Sequence, residues 1–139
     1  MKNKRIQDSF KNAVSGVMQA VRTERNMKIH MAATVCVLLL SLYYRITKTE
    51  FLIICLTITL VIACELINTA LEALVDIIVD VYHPKAKKIK DVAAGAVFMS
   101  AMMSLVVGYV IFFDRIMADV RAFIDWIAQR GIFKETAPE

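Results

Sequence analysis

The chain has 139 residues, 58% of them hydrophobic, a mean hydropathy of +0.58 and a formal net charge of +4. Its apolar residues come in long runs, which excludes an ordinary water-soluble domain and points to a small integral membrane protein. No segment alternates with period two over barrel-strand length, so the fold class is all-α, and Cys36, Cys55 and Cys64 lie inside apolar runs as small buried hydrophobes, at no metal-ligand spacing.

The first basic residues lead into a mixed polar segment, so no cleavable signal peptide is expected. Over about residues 6–23, Phe10, Ala13, Val14, Val17, Met18 and Val21 recur at helical spacing among polar residues. This is an amphipathic surface helix, compatible equally with packing on its own bundle. TERNMKIH follows, with Glu24 at the mouth of the first span, about residues 27–46.

The loop at 45–50 is too short to hold a domain, so the first two spans form an antiparallel hairpin. The second span, about 51–80, contains ACELINTALEALVDIIVD. Taking Glu65 as zero, Asn68, Thr69, Glu72, Asp76 and Asp80 fall at about −60°, +40°, −20°, +20° and +60° around the helix. All share one face of an otherwise apolar element. A charge at membrane depth costs roughly 2.5–3.5 kcal/mol, so acids with one orientation need a reason, and binding cations is the simplest. A helix of this length is about 45 Å long against about 30 Å of hydrocarbon, so Glu65 lies inside the leaflet and Glu72 at its boundary.

In VYHPKAKKIKDVAAGAV, Pro84 breaks the helix and lysines fill the turn, with Lys90 and Asp91 opening the third span, about 91–113. Ala93, Ala94, Gly95 and Ala96 are small enough for close helix approach or for ligand contact. Residues 114–139 form an amphipathic extension: a second surface helix on the outer face, ended near Gly131 and followed by a frayed tail. Basic residues crowd the N-terminal segment and the second loop (Lys85, Lys87, Lys88, Lys90), which places both in the cytosol and the C-terminus outside. They meet lipid headgroups or a nucleotide, and no nucleic acid, because no base-stacking module accompanies them.

As chemistry, Glu24 and Glu72 at one boundary suit Mg²⁺, which one or two carboxylates commonly hold together with substrate phosphates. Lys90 is a counter-charge for those phosphates, and the deeper Glu65 suits a general base for a lipid hydroxyl. The parts make a phosphoryl-transfer site at a membrane surface. There is no GxxxxGKS/T loop, glycine-rich kinase loop, HRD or DFG sequence.

ACELINTALEALVD with KDVAAGAV resembles the signature pair of the bacterial integral-membrane diacylglycerol kinase family, and TERNMKIH and the loop YHP resemble its undecaprenol kinase branch, typical of Gram-positive bacteria. The similarity covers about residues 5–113, a membrane lipid kinase domain at 1–113. It implies a homotrimer of three-span chains in the bacterial cell membrane with active sites shared between subunits, using ATP and Mg²⁺. It implies Glu65 as catalytic base, Glu24 and Glu72 as metal ligands, and Lys90 and Asp91 at the nucleotide phosphates. Arg5, Asn12, Tyr82 and His83 match nucleotide-contact positions, and Asn68 and Asp76 support the site. His30 and Ala94 stand where diacylglycerol-preferring members carry glutamate and serine, which favours undecaprenol over diacylglycerol as acceptor. A small cation or proton transporter is the alternative of another class.

Overall fold

The computed structural model describes residues 2–130, which form four helices: α1 (Lys2–Thr23), α2 (Arg25–Tyr43), α3 (Lys48–Ile78) and α4 (Pro84–Gln129). The tail expected after Gly131 lies outside the described residues. Three of the helices, α2, α3 and α4, are long and apolar enough to cross a membrane. Large apolar side chains such as Leu39, Leu56, Phe98 and Leu105 point outward, more than half exposed. An all-helical, multi-pass membrane protein satisfies both observations, because hydrocarbon accepts that surface and helices satisfy their own backbone groups.

Each helix end has a local cause. α2 stops in a Schellman motif, in which Arg45 N–H donates to Leu42 C=O and Ile46 N–H to Ser41 C=O. Arg45 holds the left-handed position (φ 46°) that glycine usually fills, a strain accepted to fix the turn. Thr47 and Glu50 then form a capping box: Thr47 Oγ1 accepts from Glu50 N–H, and a Glu50 carboxylate oxygen accepts from Thr47 N–H at 2.8 Å. This starts α3 at Lys48, three residues before the apolar run. At the other end α3 stops at Ile78, so Asp80 falls outside the helix.

Pro84 does not leave a lysine-filled turn behind it. It is the first residue of α4, where its fixed φ fits the helix and its missing N–H costs nothing. His83 is the N-cap, its Nδ1 accepting from Lys85 N–H at 3.2 Å, and the four lysines ride on the first two turns. The expected break after Phe113 is also absent: α4 continues to Gln129 as one helix of 46 residues, about 69 Å long. No glycine or proline interrupts 113–129.

α3 and α4 make the most extensive contact in the molecule. Asp76 pairs with Lys90 at one end of the two helices and Glu50 with Arg115 at the other, which makes them an antiparallel hairpin. α2 packs on α3, and α1 packs on both α2 and α3. The apolar core sits toward the Glu50 end, where Ile54, Ile111 and Phe112 are packed against Leu40, Tyr44 and Ile58. The opposite end holds the polar groups.

Candidate active site

α3 turns its polar stripe inward at that end. Glu65 is 2% exposed and Asn68 6%. Asn68 Nδ2 donates to Glu72 Oε1 at 3.0 Å, one turn along the helix. Glu65 Oε2, Asn68 Oδ1 and Thr69 Oγ1 are buried without a hydrogen-bond partner. Each such atom left dry costs about 1–3 kcal/mol, so three within about one turn mark a place with unused capacity for a polar partner.

Groups from other elements converge on it. His30 of α2 and Glu24 at the α1–α2 junction come close to Glu65, which Glu72 neighbours from the next turns of α3 itself. Glu24 is the N-cap of α2 but makes no side-chain cap bond, and instead accepts from Thr23 Oγ1 at 2.9 Å. His30, half-buried, also lines a small pocket with Thr34, Val61 and Ser104.

Farther along the hairpin, Lys90 Nζ donates to Asp76 Oδ1 at 2.5 Å. Both line an open cleft of about 300 Å³ with Asp80, Tyr82, His83 and Lys87. The structure thus groups Glu65, Asn68 and Glu72 with Glu24 and His30, and groups Asp76 and Lys90 with Tyr82 and His83. Asp91 and Ala94 are exposed on α4 and line neither the cleft nor the carboxylate cluster. Arg5 and Asn12 are exposed on α1, and among the described residues neither side chain bonds to another element.

The carboxylates of Glu24, Glu65 and Glu72 offer oxygen donors, which suit a hard cation such as Mg²⁺. Among the described residues no three acids, histidines or cysteines converge into a cage. One or two carboxylates of the Glu24, Glu65, Glu72 cluster therefore fit a Mg²⁺ that completes its shell with phosphate oxygens and water.

The model of a family described as prokaryotic diacylglycerol kinase matches residues 11–112, taking in both the carboxylate stripe and Lys90. The chain belongs to that family. It is 42% identical over 108 residues to the undecaprenol kinase of Bacillus subtilis, covering 78% of this chain and 88% of that one. It is 41% identical over 101 residues to a diacylglycerol kinase of Synechocystis, covering 72% and 58% respectively. A diacylglycerol kinase of Haemophilus influenzae is 30% identical over 108 residues, covering 76% and 91%. As a prokaryotic diacylglycerol kinase family member the chain is a membrane lipid kinase, a phosphotransferase using ATP, and the transporter alternative falls away.

Two features of these polar groups escaped the sequence. Thr69 shares the polar face by angle, yet only its buried, unpartnered hydroxyl marks it as part of the cluster. Asp76 lies two residues from the end of α3 and Lys90 six residues into α4, and the two pair only once α3 and α4 are read as a hairpin.

Proposed function

We propose that this kinase transfers the γ-phosphoryl group of ATP, with Mg²⁺, to the hydroxyl of undecaprenol. The observation that carries the reading is the buried cluster of Glu65, Asn68 and Thr69, with unpartnered oxygens one turn from Glu72. Glu65 accepts the proton of the lipid hydroxyl as that oxygen attacks the γ-phosphorus. The bond from phosphorus to the bridging oxygen breaks, and ADP leaves. Glu24 and Glu72 would hold Mg²⁺, which when bound spreads the charge of the phosphates. Asn68 orients Glu72 through its amide, and Asp76 holds Lys90 in line with the phosphates. Asp91, Tyr82, His83, Arg5 and Asn12 extend the nucleotide contacts.

The acceptor reading rests on the identity to the Bacillus subtilis undecaprenol kinase and on His30, beside the carboxylates, and Ala94, exposed on α4, both of which stand where the resemblance puts other residues in diacylglycerol-preferring members. Diacylglycerol is the second reading, favoured by the names of the other two relatives. The active form is a homotrimer whose sites join residues of neighbouring chains, which brings α1 of one chain over the cluster of another. α1 lies as an amphipathic helix on the cytosolic surface, the Pro84 turn is cytosolic, and the C-terminus is outside.

Phosphate transfer from labelled ATP by the purified protein in lipid micelles tests this, with undecaprenol and diacylglycerol offered separately and Mg²⁺ omitted as control. Preference for undecaprenol is expected. Preference for diacylglycerol keeps the chemistry and overturns the acceptor. Cross-linking in mild detergent that stops at dimer sinks the shared-site trimer.

A further inference from the structure

The α3–α4 hairpin has a second concavity on the side away from the carboxylates. It is an open groove of about 750 Å³, with Cys64, Ile67 and Leu71 on the α3 wall. Those three lie about 100–160° around the helix from Glu65, so the groove and the carboxylate cluster are separate. On the α4 wall Ile89, Val92 and Ala96 continue the apolar lining, and Lys85 and Lys88 close one end.

The α4 wall is graded along its axis, cationic at the Pro84 end and apolar beyond. From Lys85 to Ala96 is about 16 Å of helix, close to one leaflet of a hydrocarbon layer about 30 Å thick. The His83 cap fixes the first turn, so Lys85 and Lys88, three residues apart, share one face. Among the described residues neither ammonium has an ion-pair partner, whereas Lys90 in the same segment is paired to Asp76. A hydrocarbon-length groove under two unpaired cations complements a molecule with an apolar chain and an anionic head.

We propose that this groove retains an anionic phospholipid of the cytosolic leaflet, with an acyl chain against Ile67, Leu71 and Val92 and its phosphate between Lys85 and Lys88. The proposal takes its orientation from the topology given above and does not depend on the transfer reaction.

The full chain in nanodiscs of phosphatidylcholine with a minor share of phosphatidylglycerol provides the test, lipids retained after mild detergent release being counted by native mass spectrometry. The wild type is expected to retain about one phosphatidylglycerol per chain, preferred roughly fivefold per lysine over phosphatidylcholine. Lys85→Ala/Lys88→Ala loses the preference and Lys85→Arg/Lys88→Arg keeps it. Ala96→Leu, which fills the groove, lowers retention of both lipids. An unchanged preference in the double alanine variant overturns the site. An equal loss in Lys28→Ala, which removes a cation from exposed α2, also overturns it by showing diffuse surface attraction. In a Cys36→Ser/Cys55→Ser background, oxidative cross-linking of Cys64 to Cys64 would put a second copy of the chain on the groove and overturn the lipid. Loss of transfer to undecaprenol, measured in parallel, bears on the acceptor and leaves these readouts untouched.

Discussion

Lys90 on α4 meets Asp76 on α3 at 2.5 Å, across the connection that ends at Pro84. The pair is open to solvent, with side chains 34% and 65% exposed, so its contribution to stability is small, about 0–1 kcal/mol. Its worth lies in where it keeps an ammonium. Asp76→Asn is expected to leave thermal stability nearly unchanged, and Lys90→Met to raise KM for ATP about tenfold, equivalent to about 1.4 kcal/mol of lost phosphate contact. A large drop in melting temperature for Asp76→Asn would recast the pair as a structural clamp.

Glu65→Gln keeps the size and buried position of the side chain and removes its basicity. Transfer is expected to fall by about 10²–10⁴, the usual span of a general base, while the protein stays folded and binds nucleotide. Turnover near wild type would remove Glu65 as base.

Glu72→Ala takes away a carboxylate and also the acceptor of the Asn68 amide. Weaker binding of Mg²⁺–nucleotide is expected in calorimetry, with little difference left between the variant and wild type once the metal is chelated. Unchanged affinity in the presence of Mg²⁺ would count against Glu72 as a ligand.

At the far end Arg115 Nη2 donates to both Glu50 oxygens, at 3.0 and 3.1 Å, while Glu50 also closes the capping box of α3. Arg115→Ala is expected to destabilise the fold by roughly 1–3 kcal/mol. Glu50→Ala should cost more, because it loses the capping box as well. Chemical denaturation in micelles checks the order, and equal losses would mean the cap carries no weight.

The spans were legible because membrane helices are written in long apolar runs, and the carboxylate face because every strongly polar residue of 63–80 falls within about 60° of Glu65. Helix ends were less so. Hydrophobic onset puts the start of α3 at Phe51, whereas Thr47 and Glu50, the spacing of a capping box, move it to Lys48. Pro84 reads as a breaker, yet at the first position of a helix it is a starter. The change from apolar to mixed residues after Phe113 suggests a new element. Composition tells what surrounds a helix and not whether it bends, and Arg115 and Tyr44, whose hydroxyl donates to Asp119 at 2.9 Å, help hold α4 in line. Convergence of Glu24 and His30 on Glu65 needs the packing of α2 on α3, which no one-dimensional pattern records.

The unbroken course of α4 joins two distant places. Trp126, the sole tryptophan of the chain, stacks on Phe123 and lies under the Arg130 guanidinium, about 54 Å along the same helix from Lys90. The helix that carries Lys90 carries that indole as well, with no break between them. The extension therefore supplies the kinase with an intrinsic fluorophore at the end of α4 remote from Lys90, one that reports on that end without a label.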